Sequence, residues 1–468
     1  MKKIIKYLFL LTGGSFILAS CNDFLDREPL DSVTPDNFFF TENDLAAYAV
    51  KHYNFTTHEG FNAGIWKNDN ATDNQAATDY DKKWIPGQWK VPEAYDNPAS
   101  NDPWYFSTIR EANYFLETVV PRFEKGEIEG SETNIKHYIG EMYFLRAKNY
   151  LSKLETFGDF PIIKNTLPDE SESLIQASKR APRYKVAHFI LEDLDQAISL
   201  LTNNISGGKN RITKNAALLL KSRAALFEAS WLTYHKGTAL VPGGPGWPGK
   251  AEDIADFNID TEIAFFLKEA KAAAKEVIGN AALVQNTAKD CMDETVKTDE
   301  DKYKMSNPYF AQFSANSLEG YSEILMWRAY NLLDYKIVHS APFYIRVGGN
   351  TGFTRQYVES FLCRDGKPIY ATDQYKGDES LLNVRKNRDL RLQLFLMTPG
   401  ETLSPNVMNG TPDLLPEVPQ LLDITEKRCV TGYQVRKGLS GNWYRDGNTA
   451  IEGCPVYRAA EAYLNYIE

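Results

Sequence analysis

The sequence predicts a mainly α protein, with helix pairs packed against an irregular, loop-rich part that has few short strands. Three observations carry that expectation. Apolar residues recur at helical spacing between residues 109 and 227, glycine and proline bound each run, and both patterns fade beyond residue 280. The first run is Ile109, Ala112, Leu116, Val119 and Phe123, and the second is Ile139, Met142, Tyr143, Tyr150, Leu151 and Leu154. The third is Val186, Phe189, Ile190, Leu194, Ile198 and Leu201; the fourth, after Thr213, is Ala216, Leu219, Leu220, Ala224 and Phe227. Breakers at Gly126, Gly130, Gly158, Pro161, Gly207, Gly208 and Gly237 separate them. Helices of this length joined by short loops pack as antiparallel pairs. A further helix is expected over residues 262–279, but no crisp 34-residue repeat is visible, so a solenoid is only suggested.

From residue 280 to 448 polar loops and isolated aromatics prevail, with short apolar segments such as residues 323–329 (EILMWRA). Residues 457–468 (YRAAEAYLNYIE) return to helical spacing and stop in mid-pattern. There is no Gly, Pro or cation in the last turn, and Glu468 opposes the helix dipole. This reads as a truncated chain and predicts an exposed apolar strip on the helical half. The expected organisation is a leader over residues 1–20, a helical part over 21–280 and an incomplete loop-rich part over 281–468.

Composition narrows the function. A chain of 468 residues that is 43% hydrophobic and 24% charged is neither mainly disordered nor a polytopic membrane protein. Its net charge of −10 repels phosphate backbones, so nucleic acid is not an expected partner. With 26 Tyr, 25 Phe and 8 Trp, aromatics serve either a bulky core or a surface that stacks on flat ligands. The first six residues carry three lysines and no acid, residues 7–19 form an apolar run too short to span a membrane comfortably, and Leu18-Ala19-Ser20-Cys21 follows. Small residues before a cysteine suit a lipoprotein peptidase, which predicts lipid attachment at Cys21. Two or three acyl chains, at about 0.8 kcal/mol per buried CH₂, anchor where one would not. Cys291, Cys363, Cys429 and Cys454 show no framework spacing and read as isolated thiols.

The catalytic motifs fail on their physics. Residues 244–250 (GPGWPGK) have phosphate-loop spacing, yet Pro245 and Pro248 remove N–H donors, and Ala251 stands where a magnesium-binding hydroxyl belongs. The six His and five Cys include no paired zinc spacing, so neither a metal nor another cofactor is expected. Gly438-Leu439-Ser440-Gly441 is one residue short of a nucleophile elbow. The stretch over residues 69–81 offers Asp69, Asp73, Asp79 and Asp81 but lacks the glycine of a calcium loop, and nothing isolates a glycosidase pair. It runs into Tyr80, Trp84, Trp89 and Tyr95. Rings interleaved with Asp and Asn suit a sugar, whose C–H face stacks on an aromatic while its hydroxyls bind carboxylates and amides. Asp73, Tyr80, Trp84 and Trp89, with Trp247 in the Gly/Pro loop, are therefore the candidate ligand contacts. Trp104 and Tyr105 are expected to begin a helix and pack in the core.

Residues 18–29, running through CNDFLDREP, resemble the start of SusD/RagB-family nutrient-binding lipoproteins. The resemblance continues through residues 104–117, 140–163, 180–201, 211–230, 387–400, 431–438 and 454–468. Its most telling segment is Leu145-Arg146-Ala147 with Gly158-Asp159-Phe160-Pro161. It implies a non-enzymatic outer-membrane lipoprotein in which tetratricopeptide-like helix pairs carry a second, irregular part. Such a protein sits on a SusC-like TonB-dependent transporter and helps deliver glycans to it. The family's sugar contacts share no motif, so none transfers to a residue here. A surface glycoside hydrolase and a protein-binding module of tetratricopeptide type are the rival functions.

Overall fold

The computed structural model describes residues 38–59, 65–79, 85, 104–287, 307–334, 336–399, 402–404, 413–414, 419–440 and 448–468. In chain order, the helical half comprises α1 (Glu42–Lys51), α2 (Ser107–Glu124), α3 (Glu132–Phe157), α4 (Ser171–Ala177), α5 (Arg183–Leu200), α6 (Lys214–Tyr234) and α7 (Ile259–Asn280). The remainder holds short helices α8 (Pro308–Ala311), α9 (Ala341–Val347), α10 (Arg355–Ser360), α11 (Leu381–Arg385), α12 (Leu390–Phe395) and the final α13 (Ala459–Ile467). Strands β1 (Gln75–Ala77) and β3 (Thr351–Phe353) pair antiparallel, as do β2 (Ile324–Arg328) with β6 (Cys454–Arg458) and β4 (Thr402–Ser404) with β5 (Asp413–Leu414). The fold is thus mainly helical.

The five periodic runs fold where the spacing places them, and local chemistry sets their ends. Thr213 and Asn258 cap α6 and α7 by accepting from the amides of Ala216 and Thr261. Gly158 closes α3 at φ +73°, a left-handed conformation that costs glycine nothing. α2 packs on α3, α3 on α5, α5 on α6 and α6 on α7. α3 lies between neighbours and is buried almost all round, so it carries His137, Glu141 and Arg146 in the interior.

Those buried charges are paired across helices. Arg146 of α3 forks onto Asp193 of α5 with two bonds of 2.7 Å, and its remaining nitrogen donates to Asn113 of α2 at 2.8 Å. Arg183 of α5 grips Glu228 of α6, and Arg211 reaches back to Glu141 of α3. Asp159, in the Gly158–Pro161 turn, accepts from the amide of Arg183 at 2.8 Å and so fastens the start of α5.

Where the pattern fades, strands are few and short as expected, and the loops are interrupted by the short helices α8 to α12 between residues 308 and 395. Each is four to seven residues long, too few turns for a periodic signal. Trp104 precedes α2 rather than beginning it. Half-buried, it packs on Phe157 at 4.1 Å and carries Arg180 over its ring at 4.9 Å. Tyr457 and Arg458 are strand residues, and α13 starts at Ala459. Leu325 and Met326 of β2, with Tyr457, Ala459 and Ala462, pack into the helical core, so packing crosses residue 280. α13 leaves Leu464 and Ile467 exposed, at 66% and 80%. Cys363, Cys429 and Cys454 are buried free thiols, whereas Cys21 and Cys291 lie outside the described residues. Among the described residues no helix is long and apolar enough to cross a membrane, and no cluster of His, Cys, Asp or Glu is placed to hold a metal.

Asp193→Ala strands a buried Arg146 charge and should destabilise the protein by about 3–5 kcal/mol in urea unfolding. Arg146→Met combined with Asp193→Leu should recover most of that loss. The adjacent, tilted rings of His58 and His339, with centres 4.7 Å apart, predict a pH effect. Burial, and then His339, push the His58 imidazole down to about 3. The unfolded chain therefore binds this proton at a higher pH than the native one, and stability falls as pH drops from about 6.5 towards 3. Thermal melts of His58→Gln should show a shallower acid limb than the wild type.

Candidate functional site

A cleft of about 740 Å³ separates the second hydrophobic core from α13. Four polar anchors build its aromatic wall. Gln75 of β1, 3% exposed, donates its amide N–H groups to the Trp66 carbonyl, Asn70 Oδ1 and Thr351 Oγ1, which folds residues 65–77 onto β3. Trp66 then lies parallel to Tyr344. Gly349 passes beneath it at φ +59°, where a Cβ would come within 2.4 Å of the indole.

Thr354 caps α10 by accepting from the Tyr357 amide, while its own hydroxyl donates to the Asp73 carbonyl. The acidic segment is thereby tied to the helix that carries Tyr357. Arg388 is wholly buried and donates to the carbonyls of Val358 and Phe361, both at 2.7 Å. A cation at these otherwise unpaired carbonyls fixes the end of α10, and with it Tyr357 and Phe361. Asp389 caps α12 and chelates Arg391. Burial alone would raise the Asp389 carboxyl, but the Arg391 bonds hold it below its ordinary value.

Tyr309, Phe313 and Phe395 form one ring cluster of this wall, with centroids 5.6–5.9 Å apart. Phe353, Tyr357 and Phe361 form another at 5.0–5.2 Å. The Tyr357 hydroxyl is raised by burial and then by the charge of Asp69, with Arg391 opposing. Two phenols, a carboxylate and a guanidinium thus surround a space bounded by rings. Such a surface can take the C–H face of a polar, hydroxyl-rich ligand and bind its hydroxyls.

The candidates chosen from sequence fall differently. Asp73 is exposed beside the cleft and is held through its backbone. Its neighbour Asp69 lines the cleft instead. Trp247 is half-buried on the helical half, where its indole N–H donates to Asp159 at 2.8 Å; it does not line the cleft. Tyr80, Trp84 and Trp89 lie outside the described residues. Sequence reasoning missed Tyr309, Tyr357, Phe361, Arg391 and Lys437. Arg391 and Lys437 do fall in the segments 387–400 and 431–438 that carry the resemblance, which was the available signal.

This architecture is that of SusD-like proteins. A SusD-like protein from Bacteroides fragilis superposes with a TM-score of 0.59 at 21% identity, covering 94% of this chain and 77% of its own. A SusD-like carbohydrate-binding protein from the same species gives 0.58 at 17%, covering 92% and 74%. Family descriptions match residues 23–226, as "Starch-binding associating with outer membrane", and residues 295–468, as "SusD family". The chain belongs to the SusD/RagB family. Two curated SusD-like proteins of Formosa agariphila are 27% and 26% identical over 42% and 54% of this chain. The matches span less than half of those relatives, 37% and 45% of their lengths.

Trp247→Phe keeps the ring but deletes the bond to Asp159. It should cost about 1 kcal/mol in urea unfolding.

Proposed function

We propose that this protein binds oligosaccharide or polysaccharide nutrients without cleaving them and passes them to a SusC-like TonB-dependent transporter. One observation supports the reading above the others: the cleft wall sets the rings of Tyr309, Tyr357 and Phe361 beside Asp69 and Arg391. Family membership points the same way, as does the carbohydrate-binding title of one structural neighbour. Tyr80, Trp84 and Trp89 follow β1 in the chain and are proposed as further contacts, with Asp73 and Trp247 supporting the loops that carry the site. A lipid on Cys21, after removal of residues 1–20, would hold the protein on the outer membrane with its cleft outward. The helical part over 21–280 supplies the scaffold, and the part over 281–468 supplies most of the cleft.

Stacking on an open wall gains little beyond its ordering cost, so affinity should be millimolar to micromolar, roughly −4 to −8 kcal/mol. Titration calorimetry against a polysaccharide panel tests the reading. Tyr309→Ala and Tyr357→Ala should each weaken binding three- to tenfold with the fold intact, on the order of 0.5–1.5 kcal/mol per lost stacking contact. Release of new reducing ends on prolonged incubation would overturn it.

A further inference from the structure

The charges lining the cleft are unevenly matched. Arg391 is held by Asp389, Arg458 by the buried Glu323, and Glu461 by Arg223 on α6. Lys437 has no carboxylate within ion-pair distance among the described residues. Its ammonium lies 4.5 Å from the centre of the Phe313 ring and 5.8 Å from that of Phe395, with the Arg458 guanidinium also over Phe313 at 4.6 Å. Its side chain is exposed at the cleft. The ring faces attract the cation, but they do not neutralise it. Asp69 and Glu323 act on it only from beyond ion-pair distance.

Resting on the reading of this cleft as a glycan site, we infer that its ligand is an acidic glycan, whose carboxylate or sulfate pairs with Lys437 while its hydroxyls meet Asp69, Tyr309 and Tyr357. Three kinds of surface then have a use in one sugar residue: rings for the C–H face, oxygens for hydroxyls, and an unpaired ammonium for an anion. The electrostatics agree. The Lys437 ammonium and the Arg458 guanidinium share the Phe313 ring, and a bound anion would offset the repulsion between these two cations. A purely neutral glycan would leave the ammonium as it stands. Because the protein as a whole carries −10, the preference cannot come from general attraction.

The test is calorimetry with the full chain and three probes: an oligogalacturonate, its carboxyl-reduced neutral counterpart, and a sulfated galactan oligosaccharide. One or both acidic probes should bind at least tenfold tighter than the neutral one, as a charge-assisted bond implies, and which of them does so identifies the anion. Lys437→Gln should abolish that preference, weakening the acidic probes at least tenfold more than the neutral one, and Lys437→Arg should restore part of it. Equal binding of acidic and neutral probes, or a preference that survives Lys437→Gln, overturns the inference and leaves the glycan reading standing. Failure of all three probes and of a broad neutral panel removes the glycan reading, and this inference with it.

Discussion

Arginine forked onto a buried carboxylate is the interaction on which this architecture rests. Arg146–Asp193 joins α3 to α5, Arg183–Glu228 joins α5 to α6, and Arg211–Glu141 joins the segment before α6 back to α3; all three acids are wholly or almost wholly buried. Apolar packing alone tolerates sliding of one helix over another, because any greasy face fits another moderately well. A planar guanidinium facing a planar carboxylate accepts one register, since a shift of one turn would leave both charges unpaired in a dry interior. The pairs therefore set the geometry of the helix stack more than they add to its stability. Asp159 extends the device by fastening both the start of α5 and the loop bearing Trp247.

The same constraint, that buried polar groups must be satisfied, shapes the irregular part by different means. Long ladders are absent from its described residues, so backbone groups find side chains instead. Gln75 gathers the Trp66 segment onto β3, Thr354 ties the acidic segment to α10, and Arg388 gathers the carbonyls at the end of α10. Each anchor fixes an aromatic of the cleft wall as a consequence. A region of short helices can hence present a rigid surface, since its rigidity comes from hydrogen-bonded anchors rather than from long elements. The continuity of β2, β6 and α13 with the helical core attaches that surface to the scaffold.

Local sequence determined the five long helices of the helical half, their caps and breaks, and the isolation of the described cysteines. Those features depend on contacts within a few residues, or on a periodicity sustained over many turns. The sequence also pointed to the acidic segment, since Asp69 does line the cleft. It did not show that Tyr309, Tyr357, Arg391 and Lys437 converge there, because they come from α8, α10, α12 and a loop separated by up to 128 residues. Nor did it show that Trp247 has its N–H committed to Asp159, a partner 88 positions away. Pairing across such separations follows from register, which is decided only when the buried charges and amides of the whole chain must be satisfied together.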